Sequence, residues 1–257
     1  MVDILKDAVS LGIYAAAKLL MHSDNKEVVL LYHSVNDTGS KNDYFKSNLA
    51  PAIFKKQLEF LAGFKKQNVI ITFDDGFSNF FDIVFPLVAK YNIKAILFIT
   101  SGFIDGLITR EDIFSKKLSY KKPLNWSQVK EVSNAGVEIG SHSLTHLNLL
   151  KLDTRAVYAE ISDSKKRIED IIGKEVKYFA YPYGSRNTFD NRIKQIIKDS
   201  GYKKAYTNIM GFNTQDTDLY ELKRIRILGN DNMFRFKLKI NGAYNWIDFF
   251  NFKSISD

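Results

Sequence analysis

The chain has 257 residues, 45% hydrophobic and 14% aromatic, enough to bury a sizeable core; the length suits two domains or one, and α/β barrels routinely use it as one. It contains no cysteine, which excludes disulfide scaffolds, thiolate metal sites and cysteine nucleophiles. With 37 basic residues against 29 acidic ones the net charge is +8, a bias toward acidic partners that does not by itself choose among nucleic acid, phosphate-bearing ligands and anionic membrane.

In chain order, Leu5, Val9, Ile13, Ala16 and Leu20 recur at helical spacing, so residues 1–27 are expected to form an N-terminal amphipathic helix ahead of a domain spanning 28–257. Its apolar run is too short to span a bilayer. Asp3 and Asp7 flank Lys6, and Leu19-Leu20-Met21-His22 resembles no cleavage site, so a secretory signal is not expected. Two destinations remain for this helix. Packing on this chain or a sister subunit is the preferred reading, and peripheral contact of residues 1–21 with a membrane surface is the alternative.

Beyond it, short apolar runs alternate with helical stretches. Strands are expected at 28–35, 69–73, 94–100, 137–141, 176–181, 204–208 and 222–228. Helices are expected at 51–64, 78–91, 126–135, 153–172 and 188–200. Pro51 opens the first, Pro86 should kink or break the second, and Asp153 and Thr188 read as N-caps of the last two. This regularity calls for a parallel sheet covered by helices, either open or closed into a barrel, and a barrel is the expectation. Residues 105–124 read as an excursion from it.

Chemistry in such barrels gathers at the carboxyl ends of the strands. There stand His33, Asp74-Asp75, His142 with His146 beyond it, and Tyr181-Pro182-Tyr183-Gly184; the chain has only four histidines and three fall at these ends. The aspartate pair could cap a helix, but two carboxylates between Phe73 and Phe77 need a compensating partner. Two imidazoles four residues apart, with Asp75 at another strand end, make a three-ligand set that leaves a position for water. Zinc is the default ion, and the donors also admit cobalt, nickel or iron. Tyr181 to Gly184 reads either as a tight turn or as a loop whose N–H holds an oxyanion.

Together, Thr72-Phe73-Asp74-Asp75-Gly76, His142-Ser143-Leu144-Thr145-His146 and Ala180-Tyr181-Pro182-Tyr183-Gly184 resemble the motifs of the polysaccharide deacetylases, the NodB-homology family of carbohydrate esterase family 4. The resemblance implies a single distorted (β/α)7 barrel that removes acetyl groups from carbohydrate with one divalent ion. It implies Asp75, His142 and His146 as metal ligands, Asp74 as general base and the Tyr183 amide as oxyanion donor. Two departures stand out. The family's third motif commonly carries an arginine that orients the base, and Ala180 occupies its place, leaving Arg224 or Arg226 to supply that charge. No histidine follows His146 to act as the late general acid. His33, within Leu31-Tyr32-His33-Ser34-Val35, is the candidate instead, and this Tyr-His is similar to the branch of exopolysaccharide N-deacetylases with rearranged motif order.

The expected activity is removal of N-acetyl groups from a glycan polymer or lipid-linked sugar precursor by metal-activated water. The alternatives are a non-catalytic carbohydrate-binding barrel and a deacylase or deformylase of another lipid-linked amino sugar. A cytoplasmic site of action is expected, with peripheral contact at the inner membrane face. Lys116-Lys117 and Lys121-Lys122 are basic, but no helix reads as a groove-docking element, so nucleic acid is not an expected partner.

Overall fold

Alternation along the strands builds the domain in two shells. In a computed structural model, which describes residues 6–7, 9–12, 26–36, 47–64, 68–108 and 122–245, strand β1 (Glu27–Tyr32) is buried on both faces. Val28, Leu30 and Tyr32 face outward into the core beneath the helices, while Val29 faces an inner cluster with Ile96, Phe98, Ala180, Tyr206 and Leu222. That split follows the two-residue period of extended chain, and burial on both sides is what near-continuous apolar strands require.

After the short strand β2 (Ser34–Val35) the chain continues through β3 (Asn48–Leu49), α1 (Pro51–Ala62), β4 (Asn68–Phe73), α2 (Phe85–Tyr91), β5 (Ala95–Ile99) and α3 (Ser101–Ile104). It goes on through α4 (Trp126–Asn134), β6 (Glu138–Ser141), α5 (Thr154–Ile172), β7 (Tyr178–Ala180), α6 (Asn191–Asp199), β8 (Lys204–Tyr206), β9 (Ile225–Arg226) and α7 (Met233–Ile240). A seven-stranded sheet runs β8-β7-β6-β5-β4-β1-β9, every pairing in it parallel. It curls so that one stretch of chain joins its two edges: Leu222 bridges Tyr206 of β8, and Ile225 pairs with Leu30 of β1. Gly140 makes room at the inner wall, because a Cβ there would stand 2.4 Å from the Phe98 ring. The curled parallel sheet with its covering helices is the expected α/β architecture.

Several expectations need correcting at the level of elements. The first strand is interrupted at His33, which separates β1 from β2. Helix α6 is capped by Asp190, whose carboxylate accepts the Ile193 N–H at 2.9 Å, and not by Thr188, whose hydroxyl turns back to the Ser185 carbonyl. Helix α7, capped by Asn232, escaped the sequence reading. The segment expected to break at Pro86 does change there, from a π-helical turn (Phe80–Val84) into α2 with Pro86 in its first turn, where no N–H is needed. The last expected strand contracts to Ile225–Arg226.

The N-terminal helix lies largely outside the described residues. Residues 6–7 and 9–12 are helical, and Asp7 pairs with Arg235 of α7 at 2.7 Å and hydrogen-bonds the Tyr244 hydroxyl. Ser10 is buried, while Val9 and Leu11 stay exposed. Among the described residues no helix is long and apolar enough to cross a membrane. Most of the lysine-rich excursion at 105–124 also lies outside the described residues.

Candidate active site

Strand β4 ends at Phe73, and the next two residues diverge. Asp75 and Gly76 both adopt left-handed backbone, with φ of 76° and 85°. An extended chain would point neighbouring side chains to opposite faces; this turn brings both carboxylates into one pocket from different directions. Gly76 also lies against Ile99, where a Cβ would stand 3.0 Å from the side chain. Asp75 is a non-glycine residue in that conformation, which costs about 1–3 kcal/mol and marks a site whose geometry is imposed by its surroundings.

Asp74 turns to Arg224. The carboxylate receives two parallel hydrogen bonds from the guanidinium, at 2.7 and 2.8 Å, and both side chains are buried. The remaining Arg224 donors go to the Thr207 carbonyl, the Thr72 hydroxyl and the Asn208 side-chain oxygen, at 2.8, 3.2 and 2.8 Å. Burial by itself would raise the Asp74 pKa. The charge and hydrogen bonds of Arg224, with His142 and His33 nearby, outweigh it and hold the carboxyl at about 2. Arg224 therefore supplies the cation that Ala180 cannot.

Asp75 turns to the histidines. Its Oδ1 lies 3.7 Å from His142 Nε2 and 3.6 Å from His146 Nε2, and all three side chains are buried. Two ligand atoms each about 2.1 Å from an ion at the tetrahedral angle stand about 3.4 Å apart, so the donor types and the two carboxylate–imidazole spacings fit a divalent ion. His142 Nδ1 donates to the Ala180 carbonyl at 2.8 Å, which fixes the tautomer and leaves Nε2 as the inward-facing acceptor. Burial lowers the pKa of both imidazoles, that of His146 to about 3, so both are neutral and available as ligands at neutral pH.

His33 follows β1, the strand paired with β4, and the Asp74 N–H donates to the Tyr32 carbonyl at 3.1 Å. The half-buried His33 thus stands beside Asp74, whose pKa its charge lowers. On the opposite side, Tyr183 has φ of 62° and its ring packs edge-on against His146, centroids 5.0 Å apart. Its carbonyl accepts the Asn208 side-chain amide, and among the described residues its N–H has no protein acceptor. Gly184 (φ 62°) lies so close to Asn208 that a Cβ would approach the backbone nitrogen to 2.7 Å.

All six expected site residues, His33, Asp74, Asp75, His142, His146 and Tyr183, thus gather at one end of the sheet. The sequence reading missed Asn208, which ties Arg224 to the Tyr183 loop. Its position at the end of the expected strand 204–208 was the available signal.

The family model described as Polysaccharide deacetylase matches residues 62–205, more than half of the chain. The Bacillus subtilis (strain 168) protein YxkH is 30% identical over 159 residues, 62% of this chain, and the match spans about half, 51%, of that relative's length. The poly-beta-1,6-N-acetyl-D-glucosamine N-deacetylase of Staphylococcus aureus (strain MSSA476) is 25% identical over 86% of this chain and 85% of its own. In fold, the chain is similar to the Streptococcus pyogenes deacetylase PplD solved in complex with acetate, with TM-score 0.72, 22% identity, and coverage of 85% and 99% of the two chains. IcaB from Ammonifex degensii is similar at TM-score 0.69 and 20% identity, covering 86% of this chain and 97% of its own. On the extent of the family match, the chain belongs to the polysaccharide deacetylase family.

Proposed function

We propose that this chain hydrolyses N-acetyl groups on a carbohydrate, using one divalent ion, with zinc the first candidate. The observation that carries this reading is the division of labour between two adjacent aspartates. Asp75 joins His142 and His146 in a buried set of ligand atoms within 4.8 Å of one another, while Asp74, with Oδ2 3.9 Å from His142 Nε2, is ionised and bound by both oxygens to Arg224. A glycosidase would need a second carboxylate across the scissile bond and has no use for two histidines there. Family membership and the likeness to a poly-beta-1,6-N-acetyl-D-glucosamine N-deacetylase support an N-acetylated glycan as substrate.

Asp75, His142 and His146 would hold the ion. When bound, a divalent ion lowers the pKa of water toward neutrality and polarises a carbonyl oxygen. Asp74 accepts the proton of the attacking water, and Arg224 keeps that carboxylate deprotonated and aimed. The Tyr183 N–H stabilises the oxygen as its charge develops. His33 donates a proton to the sugar nitrogen as the C–N bond breaks, because an amine leaves poorly unless protonated. Water and amide become acetate and amine.

The test is acetate release from poly-β-1,6-N-acetylglucosamine, chitin oligosaccharides and lipid-linked N-acetylated sugars, with and without EDTA. Release that stops in EDTA and returns with zinc supports the reading. Undiminished release in EDTA, or full activity of Asp74→Asn at normal metal content, refutes it.

A further inference from the structure

The two candidate histidine ligands sit on a loop that cannot hold its own shape. Ser143 and His146 both have left-handed backbone, φ 64° and 59°, and neither is glycine. Something outside the loop must impose this conformation.

The backbone donors show what does. The Ser143 N–H reaches the Ser141 hydroxyl at 3.2 Å and the His146 N–H reaches the Ser143 hydroxyl at 3.0 Å, both local bonds. The two donors between them leave the loop for a single residue of α5. The Leu144 N–H donates to the Glu160 backbone carbonyl at 3.0 Å, and the Thr145 N–H donates to Glu160 Oε2 at 2.9 Å. The Thr145 hydroxyl hydrogen-bonds the other carboxylate oxygen, Oε1.

Glu160 is an unusual tenant of its position. It lies on the inward stripe of α5 with Val157, Ile161, Ser164, Ile168 and Ile172, and only 6% of it is exposed. Among the described residues its carboxylate forms no ion pair with a lysine, arginine or histidine; both of its hydrogen bonds go to Thr145. Burying a carboxylate is expensive, and hydrogen bonds to a charged acceptor are about twice as strong as neutral ones. Four residues on, the Ser164 hydroxyl donates to the Ser143 carbonyl at 3.1 Å, so the same helix face grips the loop twice.

We infer that Glu160 is a positioning residue for the candidate metal site: its carboxylate clamps Thr145 and thereby fixes the spacing of His142 and His146. This rests on the metal-dependent reading proposed above. The loop is held from outside by α5 and by α3, whose Ser101 and Gly102 N–H groups donate to the Ser143 and Leu144 carbonyls at 3.4 and 2.8 Å, and the grip on Thr145 comes from α5.

The experiment measures zinc affinity of the full chain by competition with a chromophoric chelator, alongside the melting temperature of the metal-free protein. Glu160→Ala should weaken zinc binding about 10- to 100-fold, the usual scale for removing a group that orients a ligand. Glu160→Gln, keeping one acceptor, should recover part of that loss. Thr145→Val, which loses only the hydroxyl bond, should show a smaller loss and carries the test if Glu160→Ala fails to fold. Asp163→Ala on the exposed face of α5 should match the wild type. Unchanged zinc affinity in folded Glu160→Ala and Glu160→Gln, with or without a shift in melting temperature, overturns the clamp and leaves the metal reading standing. A wild-type chain that fails to bind zinc overturns both.

Discussion

Replacing Arg224 by methionine removes the charge while keeping most of the volume, so the loss measures the guanidinium's charge and hydrogen bonds and not a cavity. The guanidinium is fully buried, and each of its five N–H donors has an acceptor in Thr207, Thr72, Asn208 or the two oxygens of Asp74. Breaking a buried pair by deleting one partner costs about 3–5 kcal/mol, because the other charge is stranded. That is a large share of the roughly 5–15 kcal/mol that holds a domain folded. The assay is urea unfolding of metal-stripped protein at two pH values. In the wild type the Asp74 pKa is about 2 in the folded state, below its ordinary 3.8. The pair's contribution is therefore present above the ordinary value and lost only as pH falls through about 2. In Arg224→Met burial dominates and the carboxyl rises above its ordinary value. The folded variant then binds a proton more readily than the unfolded chain, and it regains stability as pH is lowered from about 7 toward about 4.5. The gap from the wild type should narrow over that interval, and adding Asp74→Asn should restore much of the loss. A gap below about 1 kcal/mol at neutral pH, or one unchanged at the lower pH, would show that Arg224 does not hold Asp74 ionised.

His33→Ala should lower kcat about 10²–10⁴-fold with zinc content unchanged, measured by acetate release and metal analysis; unaltered kcat would remove His33 from proton transfer. In Gly102→Ala the new Cβ would stand 2.5 Å from the Leu144 carbonyl oxygen, so the histidine loop must shift. Zinc affinity should fall by about 10-fold or more while far-ultraviolet circular dichroism stays native, and wild-type affinity would count against a rigid loop. Ser164→Ala breaks hydrogen bonds with Ser101, Ser141 and the Ser143 carbonyl, all buried, and should cost about 1–3 kcal/mol in urea unfolding.

Much of the site was legible because its pieces are local. Asp74 and Asp75 are adjacent, His142 and His146 are four apart, and each group follows a short segment readable as a strand from the alternation of strands and helices along the chain. Helix boundaries were less legible where two capping residues compete, as Thr188 and Asp190 do within three positions. Glu160 and Ser164 left a trace that went unread: two polar residues at helical spacing on an otherwise apolar stripe. Asn208 left a weaker one, at the end of a strand.

What remained hidden depends on partners far apart in the chain. Arg224 meets Asp74 across 150 residues. Nothing local distinguishes it from Arg226, since both sit at the same parity near one short strand. The lack of cysteine and the histidine and aspartate at the strand ends already limited any metal site to imidazole and carboxylate. Composition and periodicity determined most of the strands and helices and the residues capable of chemistry, because burial and hydrogen bonding act on each segment as it stands. The closing of the sheet decided which cation faces Asp74, which helix grips the histidine loop and which way each aspartate turns. Those are contacts between segments, and their energies depend on distances that only the folded chain possesses.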